Sequence, residues 1–140
     1  MDLHLPPVPK PVAAYTPALV IGNTVRTSGQ LPFHEGELVS RGHLGDTVSI
    51  EQGKEAAQVA ALNAVAAAAE VAGGLENLKS VIKVTGFVAS TPDFTDHPAV
   101  INGASEFLEK VFGGKHIRSA VGVAALPLEA SVEIEVEFAL

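Results

Sequence analysis

Arg118 is the one large side chain on a strand face otherwise reduced to Ala120, Gly122 and Ala124, while Ser119, Val121 and Val123 alternate onto the other face. A guanidinium is a planar, permanently charged fork that binds a carboxylate through two parallel hydrogen bonds. A strand arginine is by default a solvated side chain, and the bareness of its face is one feature that speaks against that default. Further on, Val132, Ile134, Val136 and Phe138 share one face of a strictly alternating strand, and Ser131, Glu133, Glu135 and Glu137 share the other. Carboxylates in such a row can take up protons or hold water. They serve equally well as solvated edge charges that keep a sheet from aggregating.

The other reactive side chains form no familiar constellation. Ser28 lies in "TSGQ", which lacks the Gly-x-Ser-x-Gly elbow of a hydrolase, so it reads as a turn serine. The histidines at 4, 34, 43, 97 and 116 show no metal-ligand spacing and read as loop residues. No metal and no organic cofactor is expected. Tyr15, the sole tyrosine, suits an anchor for the start of the chain as well as a pocket wall.

The chain as a whole excludes several classes. Its 140 residues suit one domain, 1–140, and 47% hydrophobic residues with a mean hydropathy of +0.31 give it a core to bury. A net charge of −7, with nine scattered Lys and Arg, argues against sequence-independent binding of nucleic acid. Without cysteine there is neither a disulfide scaffold nor a thiol nucleophile. "MDLHLPPVPKPV" has acid and proline where a signal peptide needs a basic start and an apolar run, and no stretch is long enough to span a bilayer as a helix, so the expectation is a cytoplasmic protein without membrane contact.

Residues 1–14 read as an extended arm. "ALVIGNTVRTSGQL" follows as a hairpin turning at Gly22-Asn23, and 32–47 as a glycine-rich loop with a short strand near 37–40. Ser49 and Gln52 form a capping box for a helix that closes at Gly73-Gly74, and its ten alanines suit close packing on a sheet. "SVIKVTGFVAS" is a strand with Ile82, Val84, Gly86 and Val88 on one face and Lys83, Thr85 and Phe87 on the other. A second helix over 98–111 ends at Gly113-Gly114, and two strands joined at Leu126-Pro127-Leu128 complete the chain. The resulting class is α+β, a mixed sheet with both helices on one face. Its other face, carrying Thr85, Phe87 and the small residues around Arg118, then needs a cover, and a second copy of the chain in a closed oligomer supplies one.

"YTPALVIGNTVRTSGQLP", "VIKVTGFVASTPDF", "INGASEF" and "RSAVGVAALPLEASVEIEV" resemble, in order and relative position, the landmarks of the RidA/YjgF family of imine deaminases, and the likeness spans nearly the whole chain. The resemblance implies a chorismate-mutase-like fold, a homotrimer, and a small-molecule pocket in each cleft between subunits. It makes Arg118 the residue that grips a substrate carboxylate and Glu133 the one that holds or activates water, with Tyr15, Ser28, Gly29, Asn102 and Ala120 lining the pocket. Ala120 stands where the commonest members carry cysteine, and the segments 32–49 and 96–100 are longer than usual.

The reaction so implied is hydrolysis of enamines and imines such as 2-aminoacrylate and 2-iminobutyrate to 2-keto acids and ammonia. A non-catalytic module binding a keto acid in the same cleft is the alternative; a ribonuclease fits the acidic charge poorly. A simple hairpin of 117–125 with 131–139 would set Gly122 opposite Glu133 and leave Arg118 roughly 13 Å away. Either the two flank substrate and water from opposite ends, or a neighbouring chain completes the site.

Overall fold

The computed structural model describes residues 3–8 and 14–140; the remainder of the expected arm, 1–2 and 9–13, lies outside them. Residues 3–8 have no regular secondary structure, and Leu3, Leu5 and Val8 pack against the core. Strands β1 (Ala18–Ile21) and β2 (Thr24–Thr27) form the expected hairpin, with Gly22 at φ 60° in its turn. The loop that follows folds into a two-stranded ribbon, β3 (Phe33–His34) with β4 (Glu37–Leu38). The Asn63 amide of the next helix holds the ribbon by donating to the carbonyls of Leu31 and Phe33.

Helix α1 (Ile50–Ala72) begins with the expected capping box: Ser49 Oγ accepts from the Gln52 amide at 3.1 Å, and the Gln52 side chain accepts from the Ser49 amide at 2.8 Å. It ends on Gly73, whose φ of 86° only glycine adopts without strain. Strand β5 (Ser80–Ala89), helix α2 (His97–Phe112), β6 (Ile117–Val123) and β7 (Val132–Ala139) follow.

The sheet runs β1-β2-β7-β5-β6, with only the β5–β6 pair parallel. Two expectations are corrected here. The last two strands are not a hairpin, because β5 lies between them: Phe87 pairs with Glu133 on one side and with Val121 on the other. Their alternation fixed which side chains share a face but carries no information on which strand lies alongside. Within β5, a register shift between Val81 and Lys83 makes Val81, not Ile82, a core residue.

Both helices cover the face that carries Val84, Val132, Ile134, Val136 and Phe138, all buried. The approach is close. A methyl group on Gly103 would strike the Lys54 carbonyl of α1, and one on Gly86 would come within 2.5 Å of Ile101 of α2.

Arg118 pairs in parallel register with Val84 and Ala120 with Gly86, so the bare face of β6 lies beneath α2 and Phe87 is on the opposite face. The expectation that they share an uncovered face is therefore wrong; the small residues make room for the helix. The uncovered face still carries apolar groups, with Ile117 66% and Val121 43% exposed beside Phe87. No helix among the described residues is long and apolar enough to cross a membrane.

Candidate functional site

The residues singled out by sequence form two groups at separate places. The first gathers Tyr15, Ser28, Gly29 and Glu133. As β2 ends, the Ser28 amide donates to the Pro17 carbonyl and its hydroxyl to the Thr16 carbonyl, both at 2.7 Å, so Ser28 ties the segment next to Tyr15 to the end of β2. Tyr15, Leu19, Ile21, Arg26 and Ser28 border an open hollow of about 360 Å³. Gln30 and Ile134 then exchange backbone hydrogen bonds of 2.7 and 3.0 Å, laying residues 28–30 alongside β7.

That contact explains Gly29: a Cβ there would sit 2.7 Å from the Glu133 carboxyl carbon, so only glycine lets the carboxylate lie against the backbone. Glu133 is half-buried, and burial, followed by the nearby Glu135 charge, raises its pKa above the ordinary glutamate value. Glu137 on the same strand face reaches Arg26 at 3.9 Å. No hydrogen bond or ion pair to the described residues engages Glu133.

The second group surrounds Arg118 under the edge of α2. One guanidinium nitrogen donates to Ser105 Oγ at 3.1 Å and the other to the Pro98 carbonyl at 3.3 Å. Ser105 Oγ is also 2.9 Å from His116 Nε2. Pro98, Asn102, Ser105 and Glu109 recur at helical spacing, so Asn102 belongs to the same stripe of α2 as the two groups that hold Arg118. Ala120 follows on the same face of β6, part-buried against the core. Gly122 abuts His97, whose Nε2 lies 3.1 Å from Ser90 Oγ.

Sequence reasoning missed Ser105 and His116, and its reading of all five histidines as loop residues is corrected at His34 in β3 and at His97, the first residue of α2. The signal for Ser105 was its place beside Ile101, Ala104 and Leu108 in the buried stripe of α2, where an alanine would have sufficed.

Within one chain the two groups do not meet. Arg118 and Glu133 project from opposite faces, two strands and three residues apart, a separation of roughly 14 Å from strand geometry. No cluster of His, Asp or Glu suited to a metal ion occurs among the described residues.

Residues 1–139 match the family described as "YjgF/chorismate mutase-like, putative endoribonuclease". The chain belongs to this family. Among YjgF/RidA relatives it is 37% identical to protein TCP17 of Trypanosoma cruzi, over 96% of this chain and 86% of that one. It is 36% identical to a 2-iminobutanoate/2-iminopropanoate deaminase of Dermatophagoides farinae, over 95% and 91% of the two chains. A solved structure from Shewanella oneidensis, carrying the same endoribonuclease description, superposes with a TM-score of 0.93 at 30% identity, over 99% of this chain and 93% of that one. The YjgF/RidA fold is thus the one described above, a mixed sheet with two helices over one face.

Proposed function

We propose that this protein hydrolyses small imines and enamines that bear a carboxylate, at sites shared between neighbouring copies in a homotrimer. The observation that carries the proposal is the separation of the two groups within one chain. A guanidinium held at one edge of the sheet and an unpartnered, half-buried carboxylate on the other face are too far apart to serve one small molecule within a single chain. The exposed apolar residues Ile117 and Val121 beside Phe87 supply a surface for a second copy. Such packing would bring the Arg118, Ala120 and Asn102 group of one protomer against the Tyr15, Gly29 and Glu133 group of its neighbour. The deaminase name of the Dermatophagoides farinae relative supports the same chemistry.

In this reading Arg118 binds the substrate carboxylate and leaves the imine carbon toward the partner's carboxylate. Glu133, unprotonated, takes a proton from water as the oxygen attacks that carbon. Glu133 gives that proton to the carbinolamine nitrogen and takes the hydroxyl proton as C–N breaks and C=O forms, then yields it to the departing ammonia, leaving a 2-keto acid. One water is consumed, no electrons change hands, and the enzyme is restored. The raised pKa of Glu133 suits a group that must accept a proton and give it back. Acid–base chemistry of this kind asks for no cofactor, and we place the reaction in the cytoplasm with the chain as one domain.

The test is to generate 2-aminoacrylate or 2-iminobutyrate with a pyridoxal enzyme and time keto-acid release with and without this protein. Acceleration that saturates with imine supports the reading. Keto-acid binding without acceleration would make the cleft a binding module, and cleavage of RNA without imine turnover would replace the reading altogether.

A further inference from the structure

Ser105 is one of two buried polar side chains among the described residues, 6% exposed in the middle of α2. A buried hydroxyl costs stability unless it is hydrogen-bonded, and a serine within a helix ordinarily finds its partner in its own helix, at the carbonyl four residues back. Ser105 instead reaches across to β6 and its approach, where Arg118 and His116 both meet its single oxygen. An alanine would fill the stripe between Ile101 and Leu108 at no such cost.

We infer that Ser105 and His116 are positioning residues for Arg118: the hydroxyl accepts from the guanidinium, donates its own hydrogen to His116 Nε2, and so fixes the fork in the orientation that reads a carboxylate. The inferred direction is the one that gives the hydroxyl hydrogen a partner. An arginine only donates, so the Ser105 oxygen accepts from it, and with His116 in the tautomer that leaves Nε2 unprotonated the hydroxyl hydrogen goes to that nitrogen. A fixed histidine acceptor holds the hydroxyl's rotor still, and the Pro98 carbonyl holds the other arm of the fork.

The ring's surroundings favour its neutral form, the one in which Nε2 can accept. Burial lowers the pKa of His116 below its ordinary 6.5; Glu109 opposes this, while Arg118 and Lys115 add to it. Lys115 and Glu109 are themselves paired at 3.0 Å. A protonated ring would present a second cationic donor to an oxygen already accepting from Arg118.

This inference rests on Arg118 as carboxylate anchor and is tested so that the two fail separately. The probes are 2-oxobutyrate and its uncharged amide, titrated calorimetrically into wild type, Arg118→Lys, Ser105→Ala, His116→Leu and His116→Gln. Ser105→Ala and His116→Leu are expected to weaken 2-oxobutyrate binding about three- to tenfold, to leave the amide unchanged, and to raise KM with little effect on kcat. His116→Gln, which keeps a carbonyl acceptor, restores most of the affinity lost in His116→Leu. In the free protein, the guanidinium ¹⁵N signals of Arg118 should be sharp in wild type and His116→Gln and exchange-broadened in the other two.

Full carboxylate affinity and sharp guanidinium signals in Ser105→Ala, with affinity lost in Arg118→Lys, would overturn the positioning role and spare the anchor. Unchanged affinity in Arg118→Lys would overturn both. Equal losses for acid and amide in Ser105→Ala would mean that the serine supports packing alone.

Discussion

At the residue scale, Arg118 and Glu133 carry separable predictions. Arg118→Lys keeps the charge and discards the fork. Losing one charge-assisted hydrogen bond, worth about 1.5–3 kcal/mol, should weaken carboxylate binding about tenfold or more. Competition between an acid and its amide checks this, since only the acid should lose affinity. Glu133→Gln preserves shape and removes the proton acceptor, so kcat for imine hydrolysis should fall about 10²–10⁴-fold with keto-acid binding retained. A pH–rate profile gives the sign: turnover declines as pH drops through the raised pKa of Glu133, and that limb vanishes in the glutamine variant. Stability runs the other way. Between the ordinary glutamate value and the raised one, the folded protein holds more protons at Glu133 than the unfolded chain does. Stability therefore falls as pH rises through this window, and Glu133→Gln should melt higher than wild type at neutral pH. Sequence made Arg118 visible through its bare face, and Glu133 as one of three glutamates on an alternating strand face, from which the family resemblance singled it out. It did not reveal Ser105 and His116, because a hydroxyl that bridges a helix to a strand leaves no period in the chain.

At the element scale, the helices were legible because their ends are local chemistry: the Ser49–Gln52 box and Gly73 specify where α1 starts and stops whatever the rest of the chain does. Strand order is a different matter. Period two assigns Glu133 and Phe138 to opposite faces but says nothing about β5 slipping between β6 and β7, which depends on the α2 crossover. The bare face of β6 was visible for the same local reason and misassigned for the same global one. Its small residues, with Gly86 alongside, admit α2, and the close approach of α2 puts Ser105 and the Pro98 carbonyl in reach of Arg118. Close packing of the two helices should accordingly matter to function as well as stability. Gly103→Ala, whose added methyl would meet the Lys54 carbonyl, should cost about 1–3 kcal/mol, read as a lower midpoint in urea, and should raise KM for a carboxylate substrate by tilting α2. An unchanged midpoint would mean that the helices separate freely and that α2 does not set the Arg118 clamp.

At the scale of the whole molecule, one chain keeps the Arg118 and Glu133 groups apart. Light scattering should give a particle of three times 14.4 kDa at micromolar concentration. A stable monomer would leave Arg118 and Glu133 some 14 Å apart on opposite faces, unable to serve one substrate. Mass alone, however, does not show that a site is shared. The most direct measurement co-expresses Arg118→Ala with Glu133→Gln, each inactive alone, and assays imine hydrolysis by the purified mixed trimers. If each site takes its arginine from one chain and its glutamate from the next, random mixing leaves about a quarter of the sites with both native residues, and activity returns to roughly that fraction of wild type. Mixed trimers that stay as inactive as their parents would contradict the shared site and with it the mechanism built on these two residues.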